Sequence, residues 1–159
     1  MDLVMANFHP YVYLDRKAVA NAKRNLPEVQ QALAEIVRGL PQVAYAITAT
    51  ALETGQFASG SIQKAVAANH LPKRSGDVYV VFHSQDFVND FDGLTVAATH
   101  GSPWRYDRHV PIAFAGNRIK GKRIGRPVTP YDISVTLSNL LDIEAPSGAI
   151  GEPLAEVAD

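Results

Sequence analysis

The sequence predicts a fold of the α/β or α+β class, because segments of strand character alternate with segments of helical periodicity. The chain has 159 residues, of which 47% are hydrophobic and 19% are charged. This composition is typical of a globular domain and excludes an intrinsically disordered chain. A domain of this length buries roughly 70% of its unfolded surface, which is enough for a hydrophobic core.

The first half of the chain predicts a β-α-β-α-β arrangement. Its elements are a strand over 11–14, a helix over 27–40, a strand over 43–49, a helix over 61–69 and a strand over 77–82. The first helix begins near a proline and has apolar residues at the i, i+3, i+4 and i+7 spacing of one buried face. That face comprises Val29, Ala32, Leu33, Ile36, Val37 and Leu40. The last strand, DVYVVF, is apolar enough to lie inside a sheet.

The second half predicts a strand over 94–98, a strand over 111–115 and a final helix that starts near Thr129. Thr129 can cap this helix, Pro130 suits its first position, and Asp132 completes a pattern that resembles a capping box. The predicted buried face consists of Ile133, Leu137, Leu140 and Leu141. No clean linker separates the two halves.

Charge and composition exclude several classes of function. With 15 Lys and Arg against 16 Asp and Glu, the formal net charge is −1, which argues against a dedicated nucleic-acid binder. The absence of cysteine excludes disulfides, thiolate zinc sites and cysteine nucleophiles. No run of about 18 apolar residues predicts a membrane span, and the first residues lack the pattern of a signal peptide. We therefore expect neither a nucleic acid nor a membrane as partner.

His100 is the strongest candidate for chemistry. It directly follows a predicted strand and precedes Gly101, so it stands where α/β sheets place their ligands. Its imidazole can bind zinc or make a hydrogen bond to the backbone of a loop. Asp107 and His109 share a face if their segment is extended, and with His100 they supply two imidazoles and a carboxylate for a metal. Alternatively, Asp107 holds a backbone turn and His109 packs beside its neighbours.

Two polar clusters have simpler explanations. The basic residues over 118–126 can meet a phosphate, but they also suit a solvated loop. The acidic cluster of Asp86, Asp90 and Asp92 with Asn89 lacks the ligand order of a calcium loop. We expect both clusters to be surface loops.

Several segments resemble the C-terminal part of the alkaline phosphatase superfamily. They are THGSPWRYDRHVPIAFAG over 99–116, VTPYDISVTLSNLLDIEAPSGAIGEPL over 128–154, VYLDRKAV from residue 12 and RSGDVYVVF from residue 74. The similarity is strongest to the branch that contains type I phosphodiesterases/nucleotide pyrophosphatases and the alkaline phosphatases with a threonine nucleophile. Together the segments cover nearly the whole chain.

The resemblance implies a fold, a reaction and a metal ligand. The family fold is an α/β/α sandwich, and its members hydrolyse phosphate esters with two zinc ions and a serine or threonine nucleophile. His100 matches the histidine of the family's THG motif, which is a zinc ligand. Asp107 and His109 match positions commonly filled in this branch, where we expect them to support the ligands or the local structure. The family is often periplasmic or secreted. Because the first residues lack the pattern of a signal peptide, we leave the localisation of this chain unassigned.

The chain also departs from the family pattern. The nucleophile has no counterpart here, and neither the adjacent Asp-His pair nor the Asp-x-x-x-His pair of metal ligands is present. The chain therefore resembles the C-terminal third of such an enzyme, with a cap-like subdomain over 1–93 and a C-terminal segment of the core over 94–159.

This partial resemblance implies an inactive chain. We expect it to bind zinc weakly and to accept a phosphate ester only if the missing N-terminal part completes it. An exposed sheet edge is expected to favour a homo-oligomer. The alternatives are one half of a split hydrolase and a non-enzymatic binding or oligomerisation module that reuses the fold.

Overall fold

The computed structural model describes residues 3–88, 90–91, 93–117 and 119–158. Asn89, Asp92 and Arg118, which belong to the polar clusters named above, lie outside the described residues. The chain divides into two compact units, Met1–His109 and Val110–Asp159. This division falls later than the boundary suggested at 93/94, and the assignment of a cap and a core segment stays a prediction.

The first unit is built on a four-stranded antiparallel sheet. Its strands are β1 (Val4–Phe8), β2 (Tyr11–Leu14), β3 (Val43–Thr48) and β4 (Val78–Phe82), in the spatial order β1-β2-β4-β3. The strands predicted over 11–14, 43–49 and 77–82 are confirmed to within one residue. Strand β1 was not predicted. Strand β4 pairs with a strand on each side, which explains its continuous apolar sequence.

Four helices accompany this sheet: α1 (Arg16–Asn21), α2 (Leu26–Arg38), α3 (Ala49–Thr54) and α4 (Ser61–Asn69). The helices predicted over 27–40 and 61–69 are confirmed as α2 and α4. Helices α1 and α3 escaped prediction because each has only six residues. Both begin at a capping side chain: Asp15 accepts from the amides of Lys17 and Ala18, and Thr48 accepts from the amide of Ala51.

The core lies on both faces of the sheet, because successive residues of β4 point to opposite sides. Val78 and Val80 belong to a cluster that packs against Leu33 and Val37 of α2. Tyr79 and Val81 belong to a second cluster, which includes Ile62 and Val66 of α4. The sheet is therefore covered by α2 on one face and by α4 on the other. Each fully buried apolar side chain contributes about 1.5–3 kcal/mol to the stability of this arrangement.

The predicted buried face of α2 is wrong in part. Leu33 and Val37 pack against the core, but Ile36 is 71% exposed, and Ala32 and Leu40 are exposed as well. The buried residues of α2 are Gln30 and Ala34. The packed face of α2 therefore includes Gln30 and leaves out Ile36. Hydrophobic spacing cannot indicate that Gln30 is buried, because the residue is polar.

Residues 83–109 complete the first unit. They contain the two-residue strands β5 (Asp90–Phe91) and β6 (Leu94–Thr95), which pair with each other, and the single-turn helix α5 (Arg105–Arg108). The strand predicted over 94–98 is thus reduced to β6, because β5 offers a partner of only two residues.

The second unit contains α6 (Tyr131–Leu141) and α7 (Ala155–Ala158). Residues 111–115 form no strand, so that prediction is wrong: among the described residues no strand pairs with them, and a strand needs such a partner. The final helix is confirmed. Asp132 accepts a hydrogen bond from the amide of Thr129 at 2.7 Å, but the residue at the cap is Pro130 instead of Thr129.

The predicted buried face of α6 is wrong for its three leucines, whereas Ile133 is half-buried. Leu137 and Leu140 are 43% and 37% exposed, and Leu141 is 66% exposed. The helix instead buries Thr136 and Ser138. Thr136 Oγ1 accepts from the amide of Leu154 at 2.9 Å, so the tail of the chain packs against this polar side. The described residues of this unit supply no layer that covers the leucines.

Two contacts fix the tail of the second unit. Gly151 lies against the carbonyl group of Tyr131 so closely that a Cβ would collide with the backbone. Arg126 donates to both carboxylate oxygens of Glu156, which lowers the pKa of Glu156 to about 2. No helix in the described part of the chain is both long and apolar enough to cross a membrane.

Candidate active-site cleft

A cleft of about 230 Å³ lies in the first unit beside β4, and we call it the His100 cleft. Its wall includes the end of β4 and residues 97–103, 106 and 107. The polar side chains that line it are those of His9, Tyr79, Gln85, Asp86, Thr99, His100, Ser102, Tyr106 and Asp107. Two of the three predicted site residues, His100 and Asp107, therefore share one cleft.

The segment over 99–107 is tied to the end of β4 by two hydrogen bonds. Trp104 Nε1 donates to the carbonyl oxygen of Phe82 at 3.0 Å, and the Tyr106 hydroxyl accepts from the amide of Gln85 at 3.1 Å. The indole also packs against the core cluster that contains Tyr79 and Val81. These contacts place the loop that carries His100 against rigid sheet structure.

His100 is exposed, and the backbone turns immediately after it. Gly101 has φ 103°, in the region that side chains with a Cβ rarely adopt. No atom lies within 4 Å of the position of a Gly101 Cβ, so the glycine is required by its backbone angle and not by a close approach. This turn presents the imidazole to solvent at the cleft.

Asp107 closes the same turn from the other side. Its Oδ2 accepts a hydrogen bond from the Ser102 amide at 2.8 Å. Hydrogen bonding to Ser102 holds the pKa of Asp107 below its ordinary value, and the nearby His100 acts in the same direction. Asp107 is therefore an ionised carboxylate at neutral pH, and it holds the turn that follows His100.

His109 lies apart from the other two predicted residues. It ends α5, where its amide donates to the carbonyl oxygen of Arg105 at 2.8 Å, and it lines a different cavity. The helical turn of α5 causes this separation, since the prediction of a shared face assumed an extended segment. The supporting roles assigned to Asp107 and His109 stay predictions.

The described residues do not fit a complete metal centre. Among residues 3–88, 90–91, 93–117 and 119–158, no group of three or more His, Asp and Glu side chains is arranged to hold a metal ion. A catalytic zinc ion needs about three protein ligands. The role of His100 as a zinc ligand therefore stays a prediction.

Sequence reasoning missed His9 as a member of the cleft. Its ring stacks on Phe82 with centroids 5.1 Å apart and an angle of 8° between the planes. Burial of part of the ring lowers the pKa of His9 from its ordinary value. No local spacing signals this residue, because β1, β2 and β4 must first assemble before His9 can meet Phe82.

No family model matches the chain. It is 32% identical to alkaline phosphatase PafA of Elizabethkingia meningoseptica over 98% of its own length. A crystal structure of PafA superposes on 99% of the chain with a TM-score of 0.81 and 28% identity. Nearly the whole chain is therefore similar to one section of alkaline phosphatase PafA. The mixed α/β fold predicted from the sequence is thereby confirmed as part of an alkaline phosphatase fold.

Two further proteins are similar to this chain, one named as a phosphatase and one as an ATPase. Alkaline phosphatase PhoD of Zymomonas mobilis is 33% identical over 80% of the chain. A protein of Myroides odoratus named calcium-transporting ATPase is 27% identical over 99% of the chain. The chain spans 28%, 28% and 24% of the lengths of PafA, the Myroides protein and PhoD. It therefore corresponds to less than a third of each of these relatives.

Proposed function

We propose that this chain is a section of a phosphoric ester hydrolase and corresponds to the C-terminal part of the enzyme. The observation that carries the proposal is the position of His100, in a THG motif beside the ionised Asp107, on a fold that matches PafA over 99% of the chain. We further assign the chain to the branch that contains the type I phosphodiesterases/nucleotide pyrophosphatases and the phosphatases with a threonine nucleophile. The motifs over 99–116 and 128–154 support that branch.

In this proposal His100 contributes one ligand to a zinc centre that residues outside this chain complete. The chain alone then lacks the nucleophile and most metal ligands, so it is inactive by itself. Asp107 positions the His100 turn through its bond to the Ser102 amide and does not contact the substrate. The substrate class is a phosphate ester, bound only in the completed protein.

A chimera tests this function directly. The chain replaces the matching 28% of PafA, and the hydrolysis of p-nitrophenyl phosphate and of its bis-ester is measured with and without added zinc. We expect zinc-dependent hydrolysis by the chimera and at least about a hundredfold loss in its His100→Ala variant. His83→Ala is the matched control, because His83 is exposed and does not line the His100 cleft.

The isolated chain is assayed beside the chimera. We expect no zinc-dependent hydrolysis above the His100→Ala background. Zinc-dependent activity of the isolated chain that His100→Ala abolishes would overturn the proposed inactivity. A folded chimera that is fully active with alanine at position 100 would overturn the role of His100.

The exposed leucines of α6 favour a second candidate, in which the chain is one half of a split hydrolase or an assembly module. An uncovered apolar helix face is typical of a protein interface. The split hydrolase requires a companion chain that carries the nucleophile and the other ligands. Co-purification of a tagged chain with such a companion, lost in a Leu137→Gln/Leu141→Gln variant, would support it, and a monomer that captures no companion would contradict it.

A further inference from the structure

A second cavity, of about 390 Å³, lies where α5 meets the start of α4, and we call it the α5 cavity. Ile62, Pro103 and Trp104 form its apolar side, and Arg105, Arg108 and His109 form its polar side. Only Pro103 also lines the His100 cleft. The α5 cavity is therefore a separate site within the first unit.

The charged residues of the single-turn helix α5 line two different cavities. Arg105 and Arg108 are three residues apart and so lie on one side of the helix, in the α5 cavity. Tyr106 and Asp107 line the His100 cleft instead. The carboxylate of Asp107 is engaged by Ser102, so it does not neutralise the arginines.

The positive charge of the α5 cavity is uncompensated in the described part of the chain. No acidic side chain lines the cavity, and neither guanidinium group makes an ion pair or a side-chain hydrogen bond with a described residue. The first turn of α4, which opens with Ser61 at the cavity, carries no acidic residue and has no side-chain cap, so its amide dipoles add to the positive potential. Two guanidinium groups that line one cavity and have no anionic partner among the described residues suit the oxygens of a phosphate group.

The apolar side of the cavity suits a flat apolar group. The Trp104 indole is held in place by its hydrogen bond to Phe82 and lies 6.4 Å from the Tyr45 ring. Ile62 is buried in the core next to it. A fixed wall loses little conformational entropy when a ligand binds. The volume lies within the range of roughly 300–1,000 Å³ found for small-molecule sites, well above the needs of a single phosphate ion.

We propose that the α5 cavity binds a small organic phosphate or phosphonate, whose anionic head lies on Arg105 and Arg108 and whose flat apolar body lies on Trp104. This site is independent of the proposed hydrolase function, since it shares neither His100 nor Asp107. No covalent step occurs there.

The chain carries its own reporter for this site, because Trp104 is its only tryptophan. The full chain is titrated with phenylphosphonate, which has no hydrolysable ester bond, and the Trp104 fluorescence is recorded. Inorganic phosphate and benzyl alcohol serve as probes of the head and of the body alone. We expect saturable binding of phenylphosphonate, at least about tenfold weaker binding of inorganic phosphate, and none of benzyl alcohol.

Variants assign the charges. Arg105→Gln/Arg108→Gln is expected to weaken phenylphosphonate binding by at least about tenfold. The control Lys120→Gln/Arg123→Gln removes the same charge from exposed residues of the second unit and is expected to bind as the original chain does. Equal losses in both double variants, or no loss in the first, would overturn the proposal. So would the absence of saturable binding, or inorganic phosphate that binds as tightly as phenylphosphonate.

A second measurement needs no variant. In ¹⁵N-resolved spectra of the full chain, phenylphosphonate is expected to shift the signals of Ser61, Ile62, Arg108 and the Trp104 indole N–H. Shifts confined to His9, His100 and Gln85 would place the ligand in the other cleft and would contradict the proposal, whether or not the hydrolase function holds.

Discussion

Gln30 donates its Nε2 hydrogen to Asp77 Oδ1 at 2.9 Å, and both side chains are almost completely buried, at 1% and 2% exposed. Asp77 also accepts from the Leu14 amide at 2.8 Å and from Arg16 at 3.0 Å. Gln30 Oε1 accepts from the amide and the hydroxyl of Thr50. The pair thus joins the ends of β2 and β4 to α1, α2 and α3, and every buried polar atom of the pair has a partner.

This network predicts that Gln30→Ala destabilises the first unit strongly. The substitution removes three hydrogen bonds, leaves Asp77 short of a donor and opens a small cavity, so we expect a loss of about 2–4 kcal/mol in the free energy of unfolding. Urea unfolding followed by circular dichroism measures it. Gln31→Ala is the matched control: Gln31 is exposed and bonds only Glu35, so its loss is expected to stay within about 0.5 kcal/mol. Equal effects of the two substitutions would show that the network contributes nothing special.

The same pair shows what the sequence could predict. Strand β4 and helix α4 were predictable because their apolar residues lie next to each other in the chain and all face the core. Gln30 was not predictable, since its burial depends on Asp77, a distant residue that only the assembled sheet brings near. The prediction that the leucines of α6 are buried was wrong for a different reason. Their spacing indicates a buried face, but the described residues of the second unit supply nothing that covers it.

The residues of the candidate site show the same contrast between those that are near each other in the sequence and those that only the fold brings together. His100 and Asp107 were found because they belong to one short motif, within which the turn at Ser102 brings them together. His9 reaches the His100 cleft only through the pairing of β1, β2 and β4. His109 was grouped with His100 by its spacing, but the turn of α5 directs it to another cavity.

The lowered pKa of His9 predicts a pH dependence of stability. Burial depresses the folded-state pKa below the ordinary value of 6.5, so between these two values the unfolded chain binds more protons than the folded chain. The contribution of His9 is therefore fully present above about pH 6.5 and is lost as the pH falls through the folded pKa.

Urea midpoints at pH 8 and pH 5.5 test this dependence. We expect His9→Gln to reduce the loss of stability between the two pH values, since glutamine does not titrate. His83→Gln is the control, an exposed histidine on the same unit that is expected to leave the pH dependence unchanged. A pH dependence that is the same in His9→Gln as in the original chain would contradict the prediction.

Asp107 is expected to control the order of the loop that carries His100. Asp107→Ala removes the acceptor of the Ser102 amide, so the hydrogen exchange of that amide is expected to accelerate by up to about tenfold. Exchange measured by NMR at the single amide gives the result. Asp86→Ala removes a carboxylate from the same cleft without touching Ser102, and it is expected to leave this amide protected. Unchanged exchange in Asp107→Ala would show that the turn is held by other contacts.

The uncovered face of α6 predicts self-association of the isolated chain. Leu137, Leu140 and Leu141 are all at least a third exposed on one helix. Burial of their remaining exposed surface between two copies would contribute about half of the 1.5–3 kcal/mol of a fully exposed side chain, per residue. We expect sedimentation velocity to show an oligomer that grows with concentration, and Leu137→Gln/Leu141→Gln to shift it toward the monomer. The control Leu71→Gln removes an exposed leucine of the first unit, at 52% exposed, and is expected to leave the oligomer intact.

If both variants dissociate alike, or if the original chain is a monomer at every concentration, then α6 does not drive association. An oligomer that survives the α6 substitutions would instead point to the edge of the antiparallel sheet, where β1 and β3 each have a neighbour on one side only among the described strands.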